Sequence, residues 1–158
     1  MPFDTIFGLP VHVLVNHAAV VLVPLAALAT AVIAVVGKWR ARYGPAVLGL
    51  AILCVPLVFV TIESGERLQA RLGSSPDIAR HQALGETMLW FSLALAVVTG
   101  VLVLRDRMTR LRQTADIVLR VTAVVAVLVA VATFVQVTRT GHVGSEAVWK
   151  GVVDATNP

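Results

Sequence analysis

The stretch LPVHVLVNHAAVVLVPLAALATAVIAVV, Leu9 to Val36, contains no charged side chain and is followed closely by Lys38. As a helix it is long enough to cross a hydrocarbon layer of about 30 Å, which takes ~20 apolar residues. Three further runs, Pro45 to Ile62, Ala83 to Leu104 and Ile117 to Val137, reach or nearly reach that length. Membrane barrel strands are about ten residues long and alternate in polarity. These runs are apolar on every side, which predicts helices whose backbone groups are satisfied internally.

Composition agrees. Of the 158 residues 58% are hydrophobic and 14% charged, with a mean hydropathy of +0.86, far from the balance of a soluble domain. The expected fold is all-α: one integral membrane four-helix bundle over residues 1–158. Its helices are expected at about 11–36, 45–63, 77–104 and 117–139, followed by a short outer C-terminal segment, 140–158. Almost nothing is left over for a soluble domain. The bilayer is the first expected partner, and the expected location is the bacterial cytoplasmic membrane.

Orientation follows from the basic residues of the short loops. Lys38, Arg40 and Arg42 lie in the first connection; Arg105, Arg107, Arg110 and Arg112 lie in the third, with Arg120 a turn into the last helix. Against Asp106 and Asp116 these leave that face at +6, whereas the opposite face has five basic and seven acidic residues and stands at −2. The basic face is therefore expected in the cytoplasm and both termini outside. The pI near 10.2 is accounted for by this asymmetry, and no nucleic-acid partner is expected. Met1 to Pro10 lacks the basic start of a secretory signal, so the first run is read as a retained helix.

Local signals place several details. In Ser74-Ser75-Pro76-Asp77 a serine can cap, proline suits the first turn and aspartate favours the positive helix end, so the third helix is expected to start near Pro76. Asp116 and Arg120, four apart, can pair. Pro24 and Pro56 lie inside helices, where each removes a hydrogen bond. Ala26, Thr30 and Ala34 at four-residue spacing permit close helix contact. Cys54 is alone, which excludes an internal disulfide. Trp39, Tyr43, Trp90 and Trp149 suit an aromatic belt.

All four histidines, His12, His17, His81 and His142, fall on the expected outer side. Counting ~20 residues outward from Lys38 reaches His17, and the same step from Arg105 reaches Gly85, so His17 lies near the outer boundary with the others within roughly 8 Å above it. Glu63, Glu66, Glu86 and Glu146 fall in the same slab. Neutral imidazole is a good donor to heme iron or a transition metal. A b-type heme needs two such nitrogens on facing helices, apolar walls and cations for its propionates. His17 and His81 are the expected iron ligands, with His12 and His142 as further candidates, and Arg67, Arg71, Arg80 or Arg139 are available for the carboxylates. A bare transition metal ion would instead draw three or four ligands from His12, His17, His81, His142, Glu63 and Glu86. His12 and His17 are five apart, about 140° around an ideal helix, so they cannot both face one ion unless the helix begins between them.

An internal repeat is visible. His17 begins an apolar helix ending at Lys38, and His81 begins one ending at Arg105. Glu63-Ser64-Gly65-Glu66 follows the second helix much as Arg139-Thr140-Gly141-His142 follows the fourth. Duplication would set the histidines around a pseudo-two-fold axis.

Three ordered segments carry a family resemblance: Gly8-Leu9-Pro10-Val11-His12-Val13-Leu14-Val15-Asn16-His17, then His81-Gln82-Ala83-Leu84-Gly85-Glu86, and Thr140-Gly141-His142-Val143-Gly144-Ser145-Glu146-Ala147-Val148. Together they resemble the uncharacterised bacterial membrane family called domain of unknown function 2231, over essentially the whole chain. Val13 and Ala18 stand where that family usually has proline and an aromatic after the two histidines. The resemblance implies a four-helix membrane domain, sometimes joined to redox modules such as Rieske or cytochrome domains, and no established activity.

The function expected from these features is binding of heme b or a transition metal ion at the outer face, with membrane electron transfer to an exported redox protein or quinone. The alternative is a structural or accessory subunit, without cofactor, in a homo-oligomer or larger membrane complex. No nucleophile–base arrangement or phosphate loop points to an independent catalytic activity.

Overall fold

The computed structural model describes residues 5–6, 8–73, 75–112 and 117–156. Four helices fill it: α1 (Val11–Val35), α2 (Gly37–Leu72), α3 (Pro76–Arg112) and α4 (Ile117–Thr156). All four are long and apolar enough to cross a membrane. Ahead of them lies a two-stranded antiparallel hairpin, β1 (Thr5–Ile6) and β2 (Leu9–Pro10), whose turn contains Gly8 at φ 79°.

The helices run on past the apolar stretches. α2 reaches Leu72, α3 Arg112 and α4 Thr156, beyond the expected ends near 63, 104 and 139. At 36 to 40 residues each spans about 54–60 Å, more than a bilayer needs, so polar helical ends extend from the apolar core. The first basic connection is not a loop. Val36, in extended conformation, alone separates α1 from α2, so Lys38, Arg40 and Arg42 sit on the first turns of α2. Arg40 turns back to donate to the carbonyls of Ile33 and Ala34 at 3.2 and 3.0 Å, satisfying acceptors that the end of α1 leaves orphaned. Ser75 accepts from the Ile78 amide at 3.3 Å and starts α3 ahead of Pro76, while Gly73 at φ 87° closes α2. Ser74 and Asp116 lie outside the described residues.

α1 packs on α2 and α4, α3 packs on the same two, and α1 meets α3 across the short diagonal. Small residues allow this: Ala26, Ala27, Ala51, Ala126 and Ala130 are fully enclosed, and Ala34 is buried beside them. The bundle's outer surface carries exposed Val and Leu on every helix and exposed Phe on α2 and α4, as lipid-facing surface requires.

The internal repeat holds with a changed register. Buried Ala19, Val23, Ala26, Thr30 and Ile33 of α1 correspond, 69 positions on, to buried Met88, Ser92, Leu95, Thr99 and Leu102 of α3. Buried Val47, Ala51, Cys54 and Val58 of α2 correspond, 79 positions on, to Ala126, Ala130, Thr133 and Val137 of α4. The same offsets match His12, and not His17, with His81, and Thr61–Gly65 with Thr140–Gly144. Each hairpin runs in the same sense, so the relating axis lies along the bundle.

Candidate functional site

Thr30 and Thr99, both fully buried, meet side chain to side chain at 3.0 Å between α1 and α3. His12 and His81 each precede their threonine by 18 residues, which is five turns of an ideal helix. Each histidine therefore shares the inward face of its helix with a residue known to touch the opposite one.

The two imidazoles are held alike. His12 Nδ1 lies 3.0 Å from the Thr61 carbonyl oxygen on α2, and His81 Nδ1 lies 3.0 Å from the Thr140 carbonyl oxygen on α4. A carbonyl only accepts, so Nδ1 carries the proton in both rings, and in the neutral form Nε2 carries the lone pair. Four residues after each threonine comes a glycine that the ring lies against. A Cβ on Gly65 would stand 3.0 Å from His12 Cε1, and one on Gly144 would stand 2.8 Å from His81 Cε1. The carbonyl fixes one edge of the ring, and the bare backbone admits its face. Ser64 Oγ, 3.4 Å from His12 Nδ1, has Val143 as its counterpart, so the halves differ there. The two histidines are near enough to interact electrostatically.

The other expected residues are placed differently. His17 is exposed, and its Nδ1 donates to Val13 of its own helix at 2.6 Å. Because α1 already begins at Val11, His12 and His17 diverge around one continuous helix. His142 is exposed and lies 3.4 Å from Glu146. Glu63 is 4.0 Å from Arg67; its counterpart pair in the other hairpin is His142 and Glu146, with a basic and an acidic group in exchanged order. Glu86, also exposed, accepts from Gln82 at 3.0 Å. Arg80 and Arg139 are exposed. The described residues contain no group of three or more His, Cys, Asp or Glu placed to share a metal ion.

Three sets of contacts were not among the expectations from the sequence. Thr61 and Thr140 carry the receiving carbonyls, and the repeated pattern of threonine, three residues and glycine was the readable signal. Gln136, buried on α4, donates to Thr87 Oγ1 at 2.7 Å beneath the site. At the other end of the bundle, Asp106, buried, accepts from Arg40 at 2.9 Å and from Arg110 at 2.8 Å. Arg110 also donates to the Gly37 carbonyl at 2.8 Å. That network ties the α1–α2 junction to α3.

The family described as "Predicted membrane protein (DUF2231)" matches residues 8–157 of the chain. No curated protein and no solved structure matches it.

Proposed function

The chain belongs to the DUF2231 family of predicted membrane proteins, and from the arrangement of two imidazoles we propose that it holds a redox cofactor, heme b or a transition metal ion, between His12 and His81. On this reading it is a multi-pass protein of the bacterial cytoplasmic membrane with the site at its outer face, and it exchanges electrons with a redox protein or quinone there. One observation carries the reading: both imidazoles donate Nδ1–H to a main-chain carbonyl of the neighbouring helix. That hydrogen bond fixes the tautomer and the ring plane of metal-binding histidines and raises the basicity of the other nitrogen. His12 thus takes the place of His17 as the partner of His81.

Heme b would suit such a site: His12 and His81 would hold its iron, apolar side chains would enclose its ring and cations would meet its carboxylates. When bound, it would supply one-electron chemistry. The chain's own residues would do the rest: Thr61 and Thr140 would orient the ligands, Gly65 and Gly144 would admit them, and Arg80 and Arg139 would supply positive charge at the same end. Orientation with this end outward rests on the +6 to −2 asymmetry of basic and acidic residues between the two faces. The test is hemin titration of the purified protein followed by its absorption spectrum.

A second reading has its own support. The same histidine contacts join α1 to α2 and α3 to α4, and exposed Val, Leu and Phe surround the bundle. A structural or accessory subunit of a larger membrane complex would use both. In that case replacing His12 and His81 loosens the bundle and changes no spectrum.

A further inference from the structure

A cleft of about 370 Å³ opens between the start of α1 and the outer part of α2. Its lining is ordered along α2. Phe59 and Val60 form the floor, Ser64 and His12 the middle, and Arg67, Leu68 and Arg71 the upper wall. From Phe59 to Arg71 is twelve residues, a rise of about 18 Å from apolar to cationic. Glu63 is the one carboxylate in the lining and lies 4.0 Å from Arg67, a pair exposed enough to exchange partners.

The other hairpin lacks this gradient. At the offset that relates α2 to α4, Phe59 corresponds to Thr138, Val60 to Arg139 and Arg67 to Glu146. The floor there is polar, and an acid stands in place of the first arginine. The gradient from apolar floor to cationic wall is therefore a feature of one hairpin and does not follow from the helix-pair geometry that both share.

We propose that this cleft holds an anionic amphiphile from the bilayer, its head against Arg67 and Arg71 and its chain along Phe59, Val60 and Leu68. The head pairs with the two guanidiniums, and the chain lies against Phe59 and Val60, at the outer end of the apolar run that closes at Ile62. A free fatty acid and an anionic phospholipid share this chemistry. The inference does not rest on the cofactor reading.

Native mass spectrometry of the detergent-purified protein, incubated separately with oleate, phosphatidylglycerol and phosphatidylcholine, tests it. Retention of oleate or phosphatidylglycerol over phosphatidylcholine is expected, and the better retained of the two names the source. Arg67→Gln with Arg71→Gln should weaken retention about tenfold, as two charge-assisted contacts are lost. Lysine at both positions should restore most of it. Glu63→Gln, which removes the competing carboxylate, should raise retention about two- to threefold. His81→Ala removes a proposed cofactor ligand outside the cleft and should leave retention unchanged, which separates this inference from the cofactor reading. Equal retention of phosphatidylcholine, or retention unaffected by both the double glutamine variant and Glu63→Gln, would overturn the proposal.

Discussion

Thr30 Oγ1 stands 3.0 Å from Thr99 Oγ1 at the centre of the bundle, a direct side-chain tie between the two helices that carry His12 and His81. Thr99 also donates to the Leu95 carbonyl at 2.6 Å, so the Thr30 hydroxyl is left to donate across to Thr99. The pair holds α1 and α3 in the register that brings the two histidines to one level. Thr30→Val and Thr99→Val should each cost on the order of 1 kcal/mol, and the double variant less than their sum, with a coupling near 0.6 kcal/mol. Unfolding in detergent, read as a double-mutant cycle, checks this; strict additivity would mean the hydroxyls do not interact.

The glycines beneath the imidazoles make a sharper test. Gly144→Ala places a methyl 2.8 Å from His81 Cε1, closer than carbon atoms approach, so the ring must leave its carbonyl. A loss of about 1–3 kcal/mol is expected, with a smaller one for Gly65→Ala, where the gap is 3.0 Å. Gly141, a turn earlier on α4, faces open space. Gly141→Ala should be neutral or stabilising by up to about 1 kcal/mol, since alanine favours helix. Equal melting temperatures for Gly141→Ala and Gly144→Ala would contradict the packing described.

Much of the fold was legible because a bilayer imposes it: a charge-free run of the length of Leu9 to Val36 has few alternatives to a spanning helix. The helix ends were not, because residues such as Thr140 to Thr156 leave the apolar layer while staying helical, and polarity marks the membrane edge and not the end of hydrogen bonding. His17 drew attention by its depth, yet depth says nothing of azimuth. Only the neighbouring helix reveals that His12 points to Thr61 while His17 folds back on Val13. The repeat was visible but misaligned, since matching apolar runs by their ends gave no fixed register, whereas the paired threonine and glycine do. Asp106 and Arg40 lie 66 residues apart, and no local pattern joins them.

That ion network gives a third prediction. The Asp106 and Arg40 side chains are 8% and 11% exposed, so Asp106→Asn leaves a nearly enclosed guanidinium without its counter-charge. A loss of about 3 kcal/mol is expected. Arg110 is half exposed, and Arg110→Ala should cost no more than about 1 kcal/mol. Thermal unfolding of the two variants in the same detergent decides the order; a greater loss for Arg110→Ala would refute it.

Topology is open to labelling. Cys54 is fully buried, so maleimide should react with it only after unfolding. In a Cys54→Ala background, Ser75→Cys at the α2–α3 turn should react with an impermeant maleimide in intact spheroplasts, while Lys38→Cys should react only after lysis. The reverse pattern would turn the bundle over and move the histidine site to the cytoplasm.

If His12 and His81 together hold one cofactor, a hemin titration of the purified protein will reveal it. The expected result is a Soret band that saturates at one heme per chain, persists in His17→Ala, and is lost in both His12→Ala and His81→Ala. No band on adding hemin, or a band unchanged in the double His12→Ala, His81→Ala variant, would contradict it.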